Sequence, residues 1–438
     1  MNNFEFFYLF YNQQPLFWFA FALCACVFYL LYKPYVISIL DPLLFSAIIT
    51  SFGASVVLFM YFTGAIKPFY LASYFVTQFA FILGIYSFKP FNSLKNIYQI
   101  KKLNIPNSTL LLKFFFVINS LLLIFFQIQV FIVAGIPIFA NSRLDTFSGG
   151  SGFGIISRFI EVTQIFSSTL LFYLLINKNL KLGFFMKSYT YLFAILLIFF
   201  AILNGSKGGI LLVLYTAFTA WIFSFDQSIN LKVSLFIKKY KIIILSSTIC
   251  IALTVVFLQT NSDLNLNPIE ILGTRFIFAG DVFWYAYPND VIIKFNNYNG
   301  IKALFTDFIG FFRFENWDKL TGHFGVDLFS YHHFSTATSG PNARHNVFGL
   351  LYFGFWGSAL FSLLIGILVS VMRNLLPVYL PKSFFSMCVL SYLFIKVVPA
   401  MDTDPILCFT YLNNLFIVTP ILLFLVFIAY KFLFKLVQ

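Results

Sequence analysis

Apolar runs of about 20 residues recur along this chain, and a run of that length is what a helix needs to cross the hydrocarbon of a bilayer. They fall near Pro15 to Tyr32, Pro42 to Phe62, Phe69 to Phe88, Leu110 to Ala134, Ile155 to Ile176, Tyr189 to Leu203, Ile210 to Phe225, Ile242 to Leu258, Val347 to Met372, Phe384 to Val398 and Ile406 to Tyr430. That is about eleven spans, the sixth and seventh short and separated only by NGSKGG. With 60% of its residues hydrophobic and 10% charged, against about 25% charged in a soluble domain, the chain reads as an all-α polytopic membrane protein. Several spans carry start signals. Asp41-Pro42 and Asp404-Pro405 each set a capping carboxylate before a proline suited to the first helical turn, and Asn107-Ser108-Thr109 offers further capping groups.

One long stretch interrupts the pattern, from Gln259 to His345, and it holds all four histidines: His323, His332, His333 and His345. The sequence therefore divides into residues 1–258 with eight spans, 259–345 as a loop or cap, and 346–438 with three spans. Sorting the basic residues gives the loop a side. Lys33, the group Lys89 to Lys113, Lys178 to Lys187, Lys232 to Lys241, Arg373 with Lys382, and Lys431 with Lys435 all fall on alternate connections. By the positive-inside rule these connections are cytoplasmic, which puts the N-terminus and the long loop outside and the C-terminus inside. The formal charge of +13 is thereby explained without nucleic acid. The five cysteines lie inside apolar runs and suggest neither a disulfide framework nor a CxxC metal site. The first apolar run lacks the flanks of a cleaved signal peptide and is expected to be retained.

Cations on the outer side call for a reason. Arg143, in GIPIFANSRLDTFSGGSGFG, and Lys207, in NGSKGGILL, stand in short outer connections that the charge rule disfavours. An anionic ligand is one explanation, since the guanidinium fork and the ammonium both suit phosphate. Snorkelling to headgroups is the other, as is local pairing of the kind open to Arg158 and Glu161. At the end of the loop, SGPNARHNVFGLLYFGFWGS sets Arg344 and His345 where a span begins, at the expected membrane interface. The pair fits a diphosphate held beside a proton acceptor, or simply a capped helix. Asp281, Trp284 and Trp317 lie among aromatic and acidic residues that could stack on and hydrogen-bond a sugar, or form an interfacial belt. The segment around ILGTRFIFAGDVFWYAYP reads as an interfacial amphipathic helix. Adjacent His332 and His333 match no common zinc spacing, and no metal or cofactor is expected.

Together, NGSKGGILL opening an outer half-span, ANSRLDTFSGG in an earlier outer loop, and a long loop ending in ARHNVFGLLYFGFWGSALF resemble the Wzy-type O-antigen and capsule polymerases. The likeness covers nearly the whole chain in architecture. Its short motifs, S-[KR]-G before a span and H-N-x-[YF] followed by G-x-x-G, are shared with O-antigen ligases. Lys207 stands where many relatives carry arginine. The resemblance implies a GT-C-like helical fold in the cytoplasmic membrane, with the loop between the eighth and ninth spans as an outer cap. It implies transfer of polyprenyl-diphosphate-linked oligosaccharide units without cofactor, alongside membrane lipids, a chain-length regulator and a flippase. It further implies that Arg143 and Lys207 bind diphosphate, that Arg275 and Arg344 add contacts, and that His345 is the general base. A ligase is the near alternative. A glycan transporter is the alternative from another class, and it should carry ionisable groups deep in its spans, of which the sequence displays few.

Overall fold

The computed structural model describes residues 1–91, 108–139, 153–177, 180–205, 209–224, 239–240, 242–243, 246, 268–295, 299–316, 320, 323–333 and 340–437. Among the described residues the protein is helical, without β-strands, and nine helices are long and apolar enough to cross a membrane.

The chain opens with α1 (Asn3–Asn12), started by a capping box in which Asn2 and Glu5 each accept the other's backbone N–H at 2.9 Å. Three spanning helices follow, α2 (Gln14–Tyr32), α3 (Pro42–Phe62) and α4 (Pro68–Ile85), each with proline in its first turn, where the missing N–H leaves nothing unsatisfied. The Asp41 carboxylate caps α3 as its sequence foretold, accepting from the N–H groups of Leu43 at 3.0 Å and Ile37 at 2.8 Å. Next come α5 (Ser108–Ala134), α6 (Phe153–Ile176), α7 (Phe184–Leu203) and α8 (Gly209–Ile222). The last of these, at 14 residues, is too short to be counted among the nine, and the expected eighth span lies almost wholly outside the described residues. The described part of the long loop forms α9 (Pro268–Ile277), α10 (Asp281–Ala286), α11 (Gly300–Leu304), α12 (Thr306–Phe311) and α13 (Phe324–His333). The chain closes with α14 (His345–Ser370), α15 (Phe384–Tyr392), α16 (Val398–Thr403) and α17 (Pro405–Val437). Asp404 caps α17 by accepting from the Leu407 N–H at 3.1 Å.

These helices group into two compact units. One comprises Met1–Pro90, Glu270–Leu375 and Lys396–Asn413; the other comprises Phe91–Ile269, Leu376–Ile395 and Asn414–Gln438.

In the first unit the decisive feature is a reversal inside α14. Gly354 has φ 69° and ψ −172°, a region open essentially only to glycine. His345 Nδ1 nevertheless lies 2.9 Å from Ser362 Oγ, although 17 residues of straight helix would separate them by about 25 Å. Phe348 likewise stacks on Phe361, and a Cβ built on Gly349 would lie 2.9 Å from that of Ser358. Residues 345–353 and 355–370 are therefore antiparallel arms of a helical hairpin. Both arms lie against α4: Asn346 reaches Thr77 and Gln78, His345 stacks on Phe81, and Phe355 meets Phe69. A Cβ on Gly366 would sit 2.1 Å from the Phe81 carbonyl oxygen, and one on Gly84 2.4 Å from that of Leu363. This is the close backbone approach on which helices in lipid rely. Gly366→Val is expected to wedge the second arm from α4 at a cost of about 1–3 kcal/mol, read as a lower melting temperature in detergent.

The described loop helices pack on the same unit. Phe276 stacks on Phe52 of α3, and Gly280 is so close to Val56 that a Cβ there would fall 2.7 Å from its side chain. Val282, Phe283, Trp284, Tyr285 and Ala286 are all buried, so this part of the segment is protein core on every side, where an amphipathic helix with one exposed face was expected. Phe6 of α1 stacks on Trp284 at 4.0 Å, so α1 and the loop occupy the same end of α2.

In the second unit α6 is central, packed against α5, α8 and α15. Its Glu161 accepts from Tyr392 at 2.8 Å and from Asn414 at 2.9 Å, while Arg158 donates to the Asn414 side-chain carbonyl. The acid and the base thus both meet Asn414 of α17.

Candidate functional site

The charged centre of the first unit is Arg344, His345 and Asp402, each no more than 2% exposed. The peptide 340–344 brings Arg344 in, the first arm of α14 starts with His345, and α16 supplies Asp402. Steric fit fixes that peptide: a Cβ on Gly325 of α13 would lie 1.8 Å from the Pro341 carbonyl oxygen. Arg344 Nη2 and the Thr50 hydroxyl both donate to Asp402 Oδ2 at 2.6 Å. Arg344 Nη1 donates to the carbonyls of Ala279 at 3.1 Å and Ile49 at 3.4 Å. Gly53 makes room for this guanidinium, since a Cβ there would fall 2.4 Å from Nη1. His345 Nε2 stands 3.2 Å from Asp402 Oδ1. A carboxylate on that side favours the proton on Nε2, leaving Nδ1 to accept from Ser362.

A charge removed from water is costly unless paired and hydrogen-bonded. Asp402 faces a guanidinium, an imidazole and a hydroxyl, which answers that cost. Arg344 is less completely served: among the described residues its Nε–H has no acceptor.

Beside this centre is a polar cavity of about 140 Å³ lined by Ile49, Phe278, Ala279, Asp281, Gly340, Pro341, Asn342, Arg344 and Thr403. Its size is below the roughly 300 Å³ at which pockets for small organic ligands begin, so it suits a headgroup and not a whole glycan. Asp281 is the acid in it. Burial pushes its carboxyl up to about 7, against the opposing pull of its own helix's Val282 N–H and of Arg344.

Of the residues singled out from sequence, the structure brings Arg344 and Asp281 into one cavity and sets His345 directly behind Arg344. His345 does not line that cavity, and its two nitrogens face Ser362 and Asp402. His345 is fully buried, stacked on Phe81 of α4. Arg275 is exposed on α9 and is not part of the cavity. Trp284, expected to stack on sugar, has both faces occupied by core: it is fully buried against Phe6, Phe7 and Phe278, with its indole N–H on Asn3 at 3.1 Å. Arg143, Lys207 and Trp317 lie outside the described residues. The adjacent histidines of α13 both turn to Tyr285, His332 to its carbonyl at 2.8 Å and His333 to its hydroxyl at 3.1 Å.

Asp402 is the member of this charged centre that the sequence did not single out. Its one clue in MDTDP is a second acid beside the capping Asp404. No family model, no curated protein and no solved structure matches this chain.

Proposed function

We propose that the protein is a membrane glycosyltransferase that extends polyprenyl-diphosphate-linked oligosaccharides, with the Arg344 and Asp281 cavity as its reaction site. The observation that carries this reading is a guanidinium and a carboxyl of near-neutral pKa in one cavity of a helical, apolar protein. The reaction needs both. The acceptor hydroxyl gives its proton to Asp281 as its oxygen bonds to the anomeric carbon; the bond from that carbon to the diphosphate oxygen breaks; and the electron pair stays on the diphosphate, where Arg344 meets the charge. Transfer to a further lipid-linked unit gives a polymerase, and transfer of finished polymer to another acceptor gives a ligase.

A second reading gains from the fold. Arg344, His345 and Asp402 are buried in the helical core, as are Asp41 and Arg373, which pair at the N-terminus of α3. Buried ionisable groups and a broken helix are what a transporter of the same lipid-linked glycan would use.

Purified protein given lipid-diphosphate repeat units separates the two. A ladder of lengthened product supports the transferase, whereas movement of unaltered substrate across vesicles supports the transporter. In the ladder assay kcat/KM should rise with pH to a plateau above about 7, because the base works as carboxylate and that form falls about tenfold per pH unit below its pKa. Asp281→Asn should lower the rate by about 10²- to 10⁴-fold and abolish the profile. His345→Gln should lower the rate and keep the midpoint. A full-strength ladder from Asp281→Asn would remove Asp281 from the chemistry.

A further inference from the structure

Behind the Arg344 and Asp402 pair lies a second polar group that the cavity does not include. Tyr32 comes from α2, Ser73, Tyr74 and Gln78 from α4, and Asn346 from the hairpin; none is more than 3% exposed. Arg344 and Asp402 act electrostatically on both tyrosines, so this group adjoins the pair. Only Arg344 belongs to the cavity as well.

Hydrogen bonding here is incomplete. Among the described residues the Ser73 and Tyr74 hydroxyls, Gln78 Nε2 and Asn346 Oδ1 have no partner. The Tyr32 hydroxyl faces Thr50 and Gln78 without closing a hydrogen bond to either. Exchanging O and N in the two side-chain amides does not help, since the Gln78 to Asn346 contact at 3.2 Å would survive reversed and leave one donor and one acceptor open as before. Buried polar atoms are normally satisfied, and a cluster of exceptions calls for a bound species.

The mixture of open groups identifies that species. A cation would need acceptors, and Gln78 Nε2 and Arg344 Nε are donors. An anion would need donors, and Asn346 Oδ1 is an acceptor. Water is both. We infer that Tyr32, Tyr74, Gln78 and Asn346 enclose a cluster of ordered water on the far side of the Arg344 and Asp402 pair from the cavity. Such water typically makes about three hydrogen bonds each, which these side chains can supply. Its consequence is mobility of the pair: if Arg344 turns toward an anion, Asp402 keeps a hydrogen-bonded partner in place of a bare buried charge. None of this depends on which reaction or transport the cavity serves.

Hydroxyl-radical footprinting of the full chain in nanodiscs tests the inference, because radicals generated from bound water mark side chains that bulk solvent does not reach. Tyr32 and Tyr74 should be oxidised about tenfold faster than the equally buried Phe28 and Phe59. Gln78→Leu should slow both while leaving the exposed Tyr8 unchanged. Protection of Tyr32 and Tyr74 equal to that of Phe28 would overturn the proposal. So would unchanged oxidation in Gln78→Leu, which would trace the label to bulk solvent. If Gln78→Leu does not fold, Tyr74→Phe removes one hydroxyl from the cluster, and Tyr32 oxidation must then fall.

Discussion

Asp402→Ala should destabilise the protein by about 3–5 kcal/mol, because it removes the carboxylate that the buried Arg344 guanidinium is hydrogen-bonded to. Arg344 is 1% exposed, and its remaining partners are the two backbone carbonyls of Ile49 and Ala279. Neither carbonyl neutralises a full charge. The change should appear as a large fall in melting temperature in detergent. Replacing both members, Arg344→Met with Asp402→Leu, should recover most of the loss, since removing a buried pair together is far cheaper than removing half of it. If the single and double variants melt alike, the pair is not what holds the peptide 340–344 in place. The double variant also serves the functional question: folded protein without Arg344 should make no ladder, so loss of activity and loss of fold are read separately.

Cysteines introduced in place of Gly349 and Ser358 should join in a disulfide under mild oxidant, and they should do so within one chain. Their positions bring the Cβ atoms to 2.9 Å, close enough that a small relaxation reaches the roughly 3.5–4.5 Å a disulfide requires. In an unbroken helix the same residues, nine apart, would be about 14 Å from each other. The expected bond is therefore close to all or none. Gly354→Val complements it, because a β-branched residue at φ 69° and ψ −172° is strained by about 1–3 kcal/mol. That substitution should lower stability and slow the cross-link. Cross-linking as fast as in the parent would mean that the turn does not need glycine.

How far the sequence could be read depended on the range of the interaction. Spanning helices depend on local composition, and the runs ending at Tyr32, Phe62, Ile176 and Leu203 are helices with those same ends. Caps are local too, so Asp41 and Asp404 act where Asp-Pro placed them. The hairpin was not legible. HNVFGLLYFGFWGSALF is apolar from Val347 to Gly357, and apolarity does not reveal direction; Gly354 is one glycine among several in that run. His345 was expected where a span begins, and the reversal packs it between Phe81 of α4 and Ser362 of the returning arm.

The same distinction separates Asp402 from Asp281 and Trp284. Trp284 looked like a sugar platform because it stood among acids, but α1 covers it, and the Asn3 that takes its indole N–H is 281 residues away in the chain. Asp281 looked like one acid of many until burial beside Arg344 changed its chemistry. Asp402 has meaning only against Arg344 and Thr50, which are 58 and 352 residues away in the chain. Sequence alone determined that this is a helical membrane protein and where most of its helices begin and end, because hydrophobic length and capping are properties of neighbouring residues. Tertiary structure alone decided which charges meet, because a buried ion pair forms between side chains that the chain brings together only by folding back.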